Sequence, residues 1–381
     1  MGKELILSIR KQNSIYLISE LFVILFFILT AFVRLISNSS IALNICTISL
    51  LIAGYLNLVI AYARKDHYIL LFAGFAAVCW LIGYLCRTNW HYDIKFFVDS
   101  LAYLGIAYSF IREKKQVRVY LILYYLIAIY ILVELVVLKV PIRGFLKDHT
   151  SYNYISIILL FYLLILNYVQ WQNEEEIQYI PAVLFLAVAI VSYGRGGIVT
   201  AAFYSVFLLI IKLKIHKGQR RKYIIAVIIV SAFSIFGKTI YDQILSTGSL
   251  NKFASMGMDS NGRSAIWWGF IKDCTSSVTN FIIGGNPDKL MIDGGNIHNS
   301  FLQLYASLGI FFFIFAMVLF ISSIIRVCKN KDWWILLLVL TFAVRAFTDK
   351  LMYRGYFEIV FYIILFYKFV VNEKRQRIGI I

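Results

Sequence analysis

Residues 261–310 read NGRSAIWWGFIKDCTSSVTNFIIGGNPDKLMIDGGNIHNSFLQLYASLGI, and they interrupt a chain that is otherwise built almost entirely of apolar segments. The stretch carries charges of both signs and places His298 directly before a long hydrophobic run. Loops of this length are uncommon unless they have a function. We therefore predict that the protein acts through this segment and that the rest of the chain is a scaffold holding it at a membrane surface.

The composition predicts that a lipid bilayer surrounds most of the chain. Of the 381 residues, 61% are hydrophobic and 15% are charged, and the mean hydropathy is +0.79. A soluble domain of this size could not bury so much apolar surface. The first apolar run is too long for a secretory signal peptide, and no cleavage site of small residues follows it. Five scattered cysteines without a CxxC pair indicate neither a zinc site nor a redox pair.

Apolar segments of about 20 residues, the length that crosses a bilayer, predict an all-α polytopic membrane protein with about twelve transmembrane helices. The predicted spans lie near 16–36, 41–63, 68–86, 94–111, 117–138, 153–170, 178–193, 197–213, 223–239, 299–325, 333–348 and 355–370. The seventh and eighth are short and are separated only by a glycine-rich turn. We expect one membrane domain, 1–381, that contains a large extracytoplasmic loop, 241–297.

The basic residues predict the orientation of the chain. With a cytoplasmic N-terminus, 22 of the 37 Lys and Arg residues fall on the inner side, as the positive-inside rule requires. Six of them lie between the eighth and ninth spans and fix that segment in the cytoplasm, so both termini are expected there. The net charge of +17 is then explained by the anionic cytoplasmic leaflet, and we expect no nucleic-acid partner.

The outer segments offer arginines rather than paired acids. The sequence has no GxxxxGK phosphate loop, no HExxH motif and no paired carboxylates in an outer loop. A metal that clamps a diphosphate usually needs such carboxylates. If the protein handles phosphate, we therefore expect arginine to replace the metal, with no metal site and no cofactor.

Arg195 lies in the turn SYGRGGIVT at the outer end of two spans. Glycines such as Gly196 and Gly197 permit a tight reversal, and their N–H groups can form an anion-binding nest. A guanidinium in such a turn can bind phosphate oxygens through two hydrogen bonds. The alternative interpretation is a glycine hairpin whose arginine extends to the lipid headgroups.

Arg263 and His298 are the other two candidates. Arg263 opens a predicted short interfacial helix, at the end where the helix dipole disfavours a cation, so a bound anion would compensate. An ordinary loop cation is the alternative.

His298 can accept a proton near neutral pH. Alternatively, it anchors the tenth span with Asn299 as a helix cap.

The remaining charged candidates are less specific. Three acids within the predicted spans should face the bundle interior, either structurally or as ion-coupling groups of a transporter: Glu20, Glu134 and Glu358. A predicted basic outer hairpin could attract an anionic lipid-linked substrate or simply be solvated: Arg345, Asp349, Lys350 and Arg354. Further candidate contacts to an acceptor or substrate are Asn299, Gln303, Asp293, Arg345 and Arg354.

Three short motifs follow one another in the second half of the chain. They are an S-x-x-R-G-G turn at 192–197, a G-R-x-x-x-W element at 262–267, and an H-N-x-x-L-Q element at 298–303 that precedes Gly309-Ile310. In this order and placement, with a similar size and one large loop before the tenth span, they resemble the bacterial O-antigen ligase/polymerase superfamily. The chain departs from the family's usual S-x-S-R form at Gly194.

The resemblance implies a GT-C-like, multi-span, metal-independent glycosyltransferase of the bacterial cytoplasmic (inner) membrane. Its donor would be a sugar chain on undecaprenyl diphosphate, its active site would face outward, and Arg195, Arg263 and His298 would be its active-site residues. A repeat-unit polymerase of capsule, exopolysaccharide or O-antigen is the first interpretation, with a flippase and a chain-length regulator as partners alongside membrane lipids. A ligase of the same family and, from another class, a flippase for lipid-linked oligosaccharide remain alternatives.

Overall fold

The computed structural model describes residues 2–86, 94–147, 151, 153–215, 263–285, 297–351, 355–369 and 371. Across these ranges the chain is helical and contains no β-strand. The helices are α1 (Gly2–Leu35), α2 (Ser40–Ala63), α3 (His67–Cys86), α4 (Ile94–Arg112), α5 (Val117–Leu132, continued by a π-helical turn, Val133–Val137), α6 (Asn153–Gln172), α7 (Tyr179–Val191), α8 (Arg195–Ile215), α9 (Arg263–Cys274), α10 (Val278–Ile283), α11 (Ser300–Asn330), α12 (Trp333–Thr348) and α13 (Glu358–Leu365).

Eight helices of the described chain are long and apolar enough to cross a membrane: α1 to α6, α8 and α11. This confirms a polytopic membrane protein. Helices α7 and α12 are apolar but have only 13 and 16 residues, and α13 has eight. The predicted ninth span, 223–239, lies outside the described residues, so a total of twelve remains a prediction. The predicted seventh and eighth spans are two separate helices, with the turn between them at 192–194.

Helix α6 is the buried centre of the bundle. It is apolar around its whole circumference, as expected of a helix enclosed by others, and every residue from Ile155 to Gln172 is buried. Two of its polar side chains bind neighbouring helices: Asn167 Nδ2 donates to the Tyr204 hydroxyl at 2.7 Å, and Gln172 Nε2 donates to the Phe110 carbonyl at 2.8 Å. This buried axis positions the helices whose ends form the candidate site.

The described part of the large loop forms a helical cap on the start of α11. Helix α11 is broken at Gly309, whose φ of 76° is left-handed and whose missing Cβ would lie 2.6 Å from the Ile282 carbonyl oxygen. Helix α10 packs into this break, and the Tyr305 hydroxyl donates to the Phe281 carbonyl at 2.6 Å. The break therefore holds α9 and α10 over the first turns of α11.

The two tryptophans of α9 have different surroundings. Trp267 donates its indole N–H to the Ile297 carbonyl at 2.8 Å, which ties α9 to the residue preceding His298. Trp268 is 70% exposed. Only the second is therefore available to surrounding lipid.

Candidate functional site

Asp349 is the centre of a polar cluster at one end of the bundle. It directly follows α12, is only 4% exposed, and accepts a hydrogen bond from Arg345 Nη2 at 3.1 Å. On its other side, His298 Nδ1 lies 3.9 Å from Asp349 Oδ1. The Ser300 hydroxyl donates to the Asp349 carbonyl at 2.6 Å and accepts from the Leu351 amide at 2.7 Å. The end of α12 is thus bound to the start of α11.

The surroundings of Asp349 hold it in its ionised form. Burial raises the pKa of this carboxyl group, but His298, the cation Arg345, the backbone amide of Lys350 and the cation Arg263 all lower it, and the net pKa is below the usual value. The side chain of Arg345 is 2% exposed, so Asp349 supplies the counter-charge of a cation that has lost its hydration. The pair is therefore a buried, mutually dependent unit.

The glycine turn before α8 packs directly against this pair. A Cβ on Gly196 would lie 1.9 Å from Arg345 Nη1, and a Cβ on Gly197 would lie 2.2 Å from the Ser156 hydroxyl. Glycine is required because α6 and α12 approach the backbone closely. The left-handed residue of the turn is Tyr193, with a φ of 53°, and Gly196 and Gly197 already belong to α8, so these two glycines serve close packing rather than the reversal. Arg195, the first residue of α8, directly precedes Gly196 in the chain and is half-buried.

Arg263 reaches the same place from the outer loop. It is the first residue of α9, and its Nη1 donates to the carbonyl of Thr348, the last residue of α12, at 2.6 Å. The C-terminal end of a helix carries partial negative charge and favours a cation. The placement that looked unfavourable at the start of α9 is therefore compensated by the end of α12.

His298 has an unusual backbone. Its φ is 51°, in the left-handed region that residues other than glycine seldom adopt. Such conformations persist where the surrounding structure enforces them, and they concentrate at functional sites. Enforcement comes from the next residue, because Asn299 Oδ1 accepts hydrogen bonds from the amides of Phe301 and Leu302 at 3.0 and 3.1 Å. Asn299 thus caps α11 and orients the histidine that precedes it.

The other predicted site residues differ in their placement. Arg345 belongs to the last turn of α12 and is buried, so of the two interpretations of the basic hairpin the solvated one was wrong for this residue. Gln303 is 3% exposed, one turn into α11, with Nε2 3.5 Å from the Ser307 hydroxyl. Asp293 and Arg354 lie outside the described residues.

Sequence reasoning missed a further arginine near this cluster. Arg34 lies in the last turn of α1, and its guanidinium carbon is 4.9 Å from the centre of the Tyr356 ring. The charges of Arg34, Arg345 and Asp349 all act on the hydroxyl of Tyr154, near the start of α6. A signal was available, because the positive-inside rule leaves a cation at the outer end of the first span unexplained.

Chemically, the cluster combines an acid–base pair with a group of guanidiniums. A carboxylate beside an imidazole can orient the ring and stabilise its protonated form. Guanidiniums match the oxygens of phosphate groups. The arrangement can therefore take a proton from one group while stabilising negative charge that develops on another.

No model of a known protein family matches the chain, and no curated protein sequence matches it significantly.

Proposed function

We propose that the chain is a polymerase of lipid-linked polysaccharide repeat units, such as those of capsule, exopolysaccharide or O-antigen. It would transfer the growing glycan from undecaprenyl diphosphate to the terminal sugar of a new lipid-linked repeat. The observation that carries the proposal is the convergence of His298, Asp349, Arg345 and Arg263, with the first turn of α8, at one end of an apolar bundle. The order of motifs that resembles the O-antigen ligase/polymerase superfamily supports it.

In the proposed reaction, the acceptor hydroxyl attacks the anomeric carbon of the donor glycan. Its proton passes to His298, which Asp349 orients and whose protonated form Asp349 stabilises. The bond between the anomeric carbon and the diphosphate oxygen breaks, and the diphosphate departs with the electron pair. A single displacement of this kind inverts the anomeric centre.

The developing charge on the departing diphosphate requires fixed cations. We propose that Arg263 and Arg195 are these cations. Preorganised donors in a water-poor site stabilise such charge better than water does. Arg263 is already oriented by its hydrogen bond to the Thr348 carbonyl. With two guanidiniums in place, the reaction would need no metal.

The test compares single variants in a strain that lacks the gene. Arg195→Ala, Arg263→Ala and His298→Ala should each abolish polymer and leave lipid-linked single repeats, resolved by size. Arg143→Ala is the matched control, because Arg143 is an exposed arginine between α5 and α6 and lies outside the cluster. Normal polymer from all three site variants would overturn the proposal.

The second candidate function, a ligase, differs in its acceptor and would use the same cluster. In the deletion strain, a full ladder stranded on the polyprenyl carrier would identify the ligase. Single repeats without a ladder would identify the polymerase. Repeats retained on the cytoplasmic leaflet would identify a flippase and remove the catalytic role of the cluster.

A further inference from the structure

A second polar feature lies at the opposite end of the bundle from Asp349. It is a cavity of about 420 Å³ between the last turns of α11 and residues Lys368 and Val371. Three cations line it: Arg326, Lys329 and Lys368. The spacing of Ser322, Arg326 and Lys329 places them on one face of α11. The cavity is thus a continuous basic surface that the proposed transferase chemistry does not use.

The walls of this cavity are held together by specific contacts. Ser323 donates to the Leu365 carbonyl at 3.3 Å, and Asn330 Nδ2 donates to the Tyr367 hydroxyl at 3.3 Å. Both contacts join α11 to the final helical segment of the bundle. The cations therefore project from two elements that are packed against each other, which makes the cavity a feature of the folded bundle.

The charge in this cavity is uncompensated within the described chain. Among the described residues, no carboxylate forms an ion pair with Arg326, Lys329 or Lys368. The neighbouring acid, Asp332, instead accepts a hydrogen bond from the Tyr367 hydroxyl. Like charges brought together repel one another, so this arrangement favours the binding of an anion.

We propose that the cavity binds a phosphate-bearing anion and that this anion is the headgroup of an anionic phospholipid. Apolar residues border the cations, namely Ile325, which is 50% exposed, and Val371. A phospholipid can pair its headgroup with the cations and pack its acyl chains against the apolar residues, whereas free phosphate can bind only the cations. On the proposed topology this end faces the cytoplasmic leaflet, where basic pockets between transmembrane helices bind anionic headgroups.

The experiment titrates phosphatidylglycerol into the full-length, delipidated protein in detergent and counts bound lipids by native mass spectrometry. Phosphatidylcholine, inorganic phosphate and pyrophosphate are titrated in parallel. The variant Arg326→Gln/Lys329→Gln removes two cations from the cavity. Its matched control is Lys114→Gln/Arg118→Gln, which removes one exposed lysine and one exposed arginine near the start of α5. Lys368→Gln is a second, milder variant on the other wall.

A cation beside anionic lipid contributes roughly a fivefold gain in affinity. We therefore expect the double variant to bind phosphatidylglycerol about 30-fold more weakly and Lys368→Gln about fivefold more weakly, with little change in the control. Equal binding of phosphatidylcholine and phosphatidylglycerol by the wild type would overturn the proposal, as would unchanged affinity in both cavity variants. Binding of phosphate or pyrophosphate without phosphatidylglycerol would overturn the lipid assignment.

Discussion

Replacing Asp349 by Asn should destabilise the protein more than the same kind of change at an ion pair whose carboxylate is half-exposed. The substitution keeps the size of the side chain and removes its charge, which leaves the guanidinium of Arg345 buried without its counter-charge. At a separation of 3.1 Å, two unit charges attract by roughly 5 kcal/mol in a medium with an effective dielectric constant near 20.

Desolvation offsets part of that attraction, and removing one partner of a buried pair typically costs about 3–5 kcal/mol. Because asparagine still offers an acceptor to Arg345, we expect a loss near the lower end, about 3 kcal/mol. The reference is Glu176→Gln, which breaks the 2.7 Å pair with Lys212; the Lys212 side chain is 5% exposed, but the carboxylate is 49% exposed. Water screens that carboxylate, and Lys212 Nζ keeps its place 4.1 Å from the centre of the Tyr179 ring, so loss of this pair should cost less than loss of the fully buried pair.

The assay is equilibrium unfolding in mixed micelles, combined with a double-mutant cycle. Arg345→Met alone should also destabilise, because it leaves a buried carboxylate beside His298. The double variant Arg345→Met/Asp349→Asn should recover stability to within about 1–2 kcal/mol of wild type, because neither charge is then stranded. It should not recover polymer, because His298 still lacks its carboxylate. An Asp349→Asn protein no less stable than Glu176→Gln would refute the reasoning.

Three further predictions concern the packing and charge around the same pair. Gly196→Ala should displace Arg345 and abolish polymer, because the new Cβ would lie 1.9 Å from Arg345 Nη1. The control Gly74→Ala should still make polymer, because its Cβ would meet nothing within 4 Å. Asn299→Ala should lower the free energy of unfolding by about 1 kcal/mol through loss of the cap, whereas Asn299→Asp, which keeps the acceptor, should not. Folding lowers the pKa of Asp349, so its ionised form stabilises the fold above about pH 4, and this stabilisation is lost as the pH falls below that value. In unfolding titrations between about pH 5 and 3, the Asp349→Asn variant should therefore lose less stability than wild type.

The local sequence pattern was sufficient to predict the helices and most of the residues that lie near the candidate site. Apolar segments of membrane length predicted the spans that the structure describes, and the run after Gly262 predicted the short helix that begins at Arg263. These features depend on neighbours in sequence. The glycine turn was also located correctly, although its glycines serve close packing and Tyr193 makes the reversal.

The arrangement of the site could not be predicted, because it depends on contacts between distant residues. Asp349 and His298 are 51 residues apart, and nothing in either local pattern indicates that α11 and α12 meet there. Arg345 was misplaced for a related reason. A cation one turn from the end of an apolar helix resembles a solvated anchor, and only its packing against Gly196 and Asp349 shows that it is buried.

The burial of the two arginines divides their roles within the proposed site. Arg345 is enclosed, contacts the backbone at Gly196 and gives Nη2 to Asp349, so it can position that carboxylate but has little access to a substrate. Arg263 is half-buried, and the hydrogen bond that the structure shows for it uses one of its five donors, on the Thr348 carbonyl. A guanidinium held by one N–H with the others available is suited to bind two oxygens of a diphosphate. The last turn of α12 therefore fixes both Asp349, the acid proposed to orient His298, and Arg263, the cation proposed to receive the leaving group, the first through a side chain and the second through a carbonyl.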